Sequence, residues 1–140
     1  MAMVWRGPEA VKLINMEVGM RLDATGRFVR DKAKELVSRS QPVRIYGKKA
    51  GRSRKGLDPS RPGEPPKKVT GMFRMSIKKE FDRPTLTVRV GTNLAYGRYL
   101  ELGTRSRGKG KGLLKRPWLR PTLVNHQAEI RARFGVGGKV

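Results

Sequence analysis

Two basic, glycine- and proline-rich stretches interrupt the apolar patterning of this 140-residue chain, and they dictate where a core can form. Residues 39–68 carry ten Lys and Arg side chains against Asp58 and Glu64, a net +8. Residues 105–120 carry seven and no acid, a net +7. Together these 46 residues hold +15 of the formal +22, so the other 94 are only modestly charged. Neither stretch has the apolar residues to bury itself, and both read as long loops, over 39–68 and 103–117. Charge at this density calls for a compensating partner, a polyanion or an acidic protein surface; the plainer reading is a pair of solvated loops. Arg52, Arg54 and Lys55 in the first and Arg105, Arg107, Lys109 and Lys111 in the second are the candidate contact residues.

The remaining segments supply the core. Val11, Ile14, Val18, Leu22, Thr25, Val29, Ala33 and Leu36 recur at three- and four-residue steps, which predicts an amphipathic helix over 9–38. Pro8 suits its first turn, and Ser38 to Pro42 end it. Thirty residues span about 45 Å, long for a small domain. Either the whole stripe packs on the chain's own core, or part of it packs on another subunit. Gly19 and Gly26 each weaken the helix by about 1 kcal/mol relative to Ala.

Over 72–91 the period changes to two. Phe73, Met75, Ile77 and Phe81 share one parity, and Leu86, Val88 and Val90 alternate with Thr85, Thr87 and Arg89. With Asp82-Arg83-Pro84 as the turn, this predicts an antiparallel hairpin with one buried face. Thr92 or Asn93 caps a short helix over 94–102, which Gly103 ends. Pro117 to Pro121 introduce a last helix over 121–134, and residues 135–140 read as a tail. The order predicts one α+β domain over 1–140 with a small antiparallel sheet.

Few residues are equipped for catalysis. Without Cys there is no disulfide framework, thiolate nucleophile or Cys-based metal site, and a lone His126 argues against histidine-rich ligation. No stretch approaches the roughly 18 apolar residues of a membrane span. Gly7-Pro8-Glu9 stand where a secretion signal needs an apolar run, so a soluble, non-secreted protein is expected. Residues 103–110 match seven positions of a phosphate-binding P-loop, but Gly110 replaces the hydroxyl residue that holds magnesium. Pro117 also follows where a helix should begin. The acids of the first helix have Lys or Arg nearby, as on a solvated face. Glu101 alone sits among apolar and aromatic residues; an ion pair with a neighbouring arginine is expected there rather than a general base. No catalytic, cofactor-binding or metal residue is assigned, and the expectation is a non-enzyme.

Three phrases, taken in order, carry a resemblance. They are Ser60 to Pro66 (SRPGEPP) followed by Thr70-Gly71 and Ser76-Ile77; Gly91-Thr92-Asn93 with Tyr96 to Thr104 (YGRYLELGT); and Arg116 to Pro121 (RPWLRP). Following a basic N-terminal helix, the set resembles the head–tail joining (neck or tail-completion) proteins of long-tailed bacteriophages, the group that includes the lambda-like minor tail protein Z relatives. The resemblance covers about residues 5–134, and its motif positions here are Gly63, Pro66, Gly71, Tyr96, Tyr99, Glu101, Gly103, Pro117 and Pro121. It implies a small sheet flanked by helices, no catalytic activity, and a homo-oligomeric ring, commonly hexameric, at the portal-proximal end of the tail. Its implied partners are neighbouring neck, connector and tail-tube proteins, within a virion assembled from chains made in the host cytoplasm. The two basic stretches exceed what the resemblance leads one to expect.

The same phrases have a plain physical reading. Pro62, Pro65 and Pro66 hold the exit of the first basic stretch extended. Gly71 can adopt a backbone angle that other residues resist. Tyr96, Tyr99 and Trp118 suit core packing individually and a subunit interface as a set. The expected function is therefore a virion structural protein of the head–tail junction, whose ring joins the portal side to the tail tube and lets DNA pass. The alternative is a small basic nucleic-acid-binding protein of ribosomal or nucleoid type. Charge supports it, but no base-stacking aromatic spacing does.

Overall fold

The computed structural model describes residues 6–38, 44–49, 52–56, 60–67, 71–105 and 112–135. Helix α1 (Gly7–Leu36) runs unbroken for 30 residues with Pro8 in its first turn, within two residues of the expected span at either end. Strands β1 (Arg44–Lys49) and β2 (Arg52–Gly56) then pair antiparallel, Arg44 opposite Gly56 and Tyr46 opposite Arg54. The expected loop over 39–68 is thus corrected to a segment that includes a two-stranded ribbon. Its composition gives no sign of this, because antiparallel pairing is made by backbone N–H and C=O groups that nearly every residue type supplies.

The expected hairpin over 72–91 starts later than its alternation implied. Gly71, at φ +83°, opens the short helix α2 (Met72–Ser76), and β3 (Ile77–Asp82) follows, paired with β4 (Thr87–Thr92) from Ile77 opposite Thr92 to Asp82 opposite Thr87. Phe73 and Met75 therefore leave from a helical turn, and the Ser76 hydroxyl, bonded to the Phe73 carbonyl (2.7 Å) and the Thr92 hydroxyl (2.6 Å), ties that turn to the end of β4. Leu86 belongs to the turn rather than to β4, at φ +48° in the left-handed region that a branched side chain rarely adopts.

Helix α3 (Ala95–Leu102) has Leu94 at its cap position; the Thr92 hydroxyl accepts the Leu94 N–H (3.1 Å) just ahead of the helix instead of capping it. Gly103 ends α3 at φ +74°, where a Cβ would also crowd the Leu113 carbonyl. The expected last helix is two, α4 (Leu119–Asn125) and α5 (Gln127–Arg133), because the backbone at His126 (φ −114°, ψ 19°) leaves helical geometry. That break turns the His126 ring edge-on to Phe28, 5.6 Å between centroids, while the Arg133 guanidinium lies over the Phe28 ring, 4.2 Å from its centroid. The fold is α+β.

Helix α1 lies lengthwise on the β3–β4 hairpin. Gly19 meets Phe81 and Leu86 near the hairpin tip, and Gly26 meets Val88 and Lys79 midway. At the base, Ala33 and Val37 join Ile77 and Trp118 in the core, with Phe73, Val90, Leu100 and Leu119 packed around them. Trp118 is its largest member; burying a tryptophan is worth roughly 4–6 kcal/mol by area. Its ring meets Phe73 edge-on (5.2 Å), and its Nε1–H donates to the Gly97 carbonyl (3.3 Å).

Candidate functional site

The three phrases that carry the resemblance converge on one place in the fold, at the base of the hairpin. Arg116 donates through Nε to the Ser60 carbonyl (2.9 Å) and through its backbone N–H to the Leu100 carbonyl (2.7 Å). The Gly63 N–H reaches the Lys115 carbonyl (2.8 Å), fixing the exit of the first basic stretch against that of the second. Glu101 is the centre of the junction. One carboxylate oxygen accepts the N–H groups of Trp118 (2.7 Å) and Leu119 (3.0 Å), and the other accepts that of Arg120 (2.9 Å). These amides lie at the start of α4 and have no partner within it, so a carboxylate from α3 serves as a remote cap. Among the described residues the partners of Glu101 are backbone amides rather than the expected arginine, and sequence spacing could not reveal them.

The same junction roots both basic stretches. Val37, just before the first, is in the core, and Ser60, near its far end, is buried with its carbonyl accepting from Arg116. The second is closed by Thr104, whose N–H meets the Leu113 carbonyl (2.9 Å) and whose hydroxyl accepts the Leu113 N–H (2.8 Å). Arg52, Arg54 and Lys55 lie on β2, and Arg105 is exposed directly after Thr104. Arg107, Lys109 and Lys111, and most of the P-loop-like stretch, lie outside the described residues. Of the motif positions, Glu101, Gly103 and Pro117 belong to the junction, with Gly63 and Pro66 in the segment docked on it and Pro121 in the first turn of α4. Trp118 is core as expected. Tyr96 and Tyr99 are not: both are about half exposed on α3, although Tyr96 keeps an edge against Phe73.

At the opposite end a second feature stands out. Residues 7–18 of α1 continue beyond Gly19, which packs on Phe81 and Leu86 near the hairpin tip, and beyond Arg21, which bonds the Phe134 carbonyl (3.3 Å) at the end of α5. There Val11, Leu13, Ile14, Met16 and Met20 are all more than half exposed, whereas Ala33 on the same helix is fully buried. Between α1 and the hairpin tip lies an open groove of about 1000 Å³, lined by Met16, Met20, Phe81 and Leu86 with Asp23 and Arg27 beside them. Asp23 bonds Lys79 across the helix–sheet contact and Arg27 along the helix (2.5 Å), and these partners hold its carboxyl below the usual carboxylate range. Leu13, Met16 and Met20 lie off the stripe that the sequence periodicity picks out, so only their long apolar side chains betrayed them.

Among the described residues, no three of His, Cys, Asp and Glu come together as a metal site, and no helix is long and apolar enough to cross a membrane. Comparison with family models, with curated proteins and with solved structures finds no match.

Proposed function

We propose that this chain is a structural protein of the head–tail junction of a long-tailed bacteriophage, working as a homo-oligomeric ring. The ring joins the portal side to the tail tube and leaves a channel for DNA; its action is geometric rather than catalytic. The observation that carries this reading is the exposed apolar end of α1, on a chain that has already built its core elsewhere. A monomer gains nothing from about 18 Å of helix presenting Val11, Leu13, Ile14 and Met16 to water, whereas a subunit interface buries it. The sequence phrases, which meet at one junction, supply the link to neck proteins.

The expected result is a discrete oligomer in light scattering coupled to size exclusion at high salt, with an annular outline by negative-stain electron microscopy. The basic stretches, rooted at one end and holding +15, favour a second reading as a nucleic-acid-binding protein. A stable monomer whose DNA affinity falls steeply with salt would support that second reading and refute the first.

A further inference from the structure

We infer that the projecting end of α1 docks head to tail on the α2–α3 face of a second copy of this chain; the inference rests on the proposed ring, whose contact it assigns. Val11 and Ile14 prolong the core stripe beyond the body, while Leu13, Met16 and Met20 stand on other sides of the helix. A helix apolar on several sides is a buried helix in its working state.

Charge decides what covers it. Residues 6–23 carry Arg6, Lys12 and Arg21 against Glu9, Glu17 and Asp23, so this end is neutral on a chain of +22. Arg6 pairs with Glu9 (3.8 Å), Arg21 with Glu17 (2.5 Å) and Arg27 with Asp23. A polyanion has no net positive charge to seek there. Two copies of a strongly basic chain repel through most of their surfaces, and this neutral apolar end is where one can approach another.

The receiving surface lies at the other end of the molecule. Tyr96, Tyr99 and Leu102 recur at three-residue steps on α3 and are exposed, with Met75 exposed on α2, whose Phe73 packs against Tyr96 (5.7 Å between ring centroids). Ile14 lies about 30 Å along α1 from Ala33, which marks the base of the hairpin where α2 and α3 sit. Arg74 on α2 and Arg98 on α3 are exposed too, so a neutral helix end meets less repulsion on this face than any basic surface of a second copy would. Because the two patches differ and lie at opposite ends, the contact is heterologous, and successive copies propagate until they close. A contact between two α1 ends would leave the tyrosines uncovered.

Complementation between two double variants tests this at high salt, with mass read by light scattering. Ile14→Glu with Met16→Glu spoils the projecting end; Tyr99→Glu with Leu102→Glu spoils the receiving face. All four residues are exposed, so unchanged circular dichroism is expected. Each variant alone should be monomeric, and an equimolar mixture should give a one-to-one heterodimer, because the intact end of one meets the intact face of the other. That heterodimer can form only from folded chains. Wild-type oligomers that survive in both variants would overturn this surface and leave the ring standing. Loss of assembly in the first variant with dimers persisting in the second would establish a contact between α1 ends and overturn the head-to-tail arrangement. A monomeric wild type would overturn both this inference and the ring.

Discussion

Glu101 takes the place of a local cap at α4, where Trp118 offers no side-chain acceptor. Glu101→Ala would leave three helix-start amides without their carboxylate, and a loss of about 2–3 kcal/mol is expected in urea denaturation. Glu101→Gln keeps an accepting oxygen but turns an NH₂ toward an N–H donor, so about half that loss is expected. Gly26 sets two effects against each other. Alanine would gain about 1 kcal/mol of helix propensity, but its Cβ would collide with Val88 Cγ2 on the opposing strand and press on Lys79. Overpacking of this kind costs 1–3 kcal/mol, so Gly26→Ala should lower stability on balance, read as a fall in Tm. Asp23 gives a pH signature. Its hydrogen bond to Lys79 and its pairing with Arg27 lower its carboxyl below the unfolded value near 4. The stability this contributes is full above about pH 5 and is lost as pH falls through the folded value. Asp23→Asn should therefore cost on the order of 1 kcal/mol at pH 7 and progressively less as the pH drops toward 3. An equal loss at both pH values would show that the contact is not electrostatic.

Helix α1 is two elements in one chain: residues 19–36 rest on the hairpin and α5, and residues 8–17 are exposed, with Lys12, Asn15 and Met16 only lining the open groove at the hairpin tip. Helical stability comes mostly from packing, so in a monomeric variant the amides of the first part should exchange with deuterium at least about tenfold faster than those around Val29 and Ala33. Assembly should close that gap. How far the elements were legible follows from their periods. Thirty residues of one helical stripe are unmistakable, and Ile77 and Phe81 on one strand with Val88 and Val90 on the other keep a period of two that marks paired strands, although Lys79 interrupts the apolar parity of the first. Phe73 and Met75 fit the same alternation, but five residues cannot distinguish a strand from one turn of helix, and Gly71 decides in favour of the turn. The β1–β2 ribbon leaves no trace in hydropathy because its pairing is through backbone. The junction was legible only as three separate phrases. Which of their atoms meet depends on long-range folding that brings Glu101 to Trp118 and Ser60 to Arg116.

At the scale of the whole molecule, charge and apolar surface are segregated. One end is neutral and apolar, while the other roots two stretches that together hold +15. Contacts of Lys and Arg with phosphate report charge and carry no base identity, so any DNA binding should be sequence-independent, with log affinity falling linearly in log salt by about 0.9 per phosphate neutralised. Two charge-reversal sets separate attachment to DNA from attachment to protein: Arg52, Arg54 and Lys55 to Glu, and separately Arg105, Arg107 and Lys109 to Glu. Each changes the charge by six without touching the neutral end of α1, so self-assembly should persist in both. The first set should abolish particle assembly, because a proline-bounded arm fixed at Ser60 and Gly63 suits reaching an acidic neighbour. The second set should spare assembly and slow DNA ejection, because alternating glycines allow close backbone approach to a passing duplex. Reversal of these outcomes would exchange the two roles. If both sets left assembly and ejection unchanged, the basic stretches would have no part beyond solubility, and the +15 would need no partner at all.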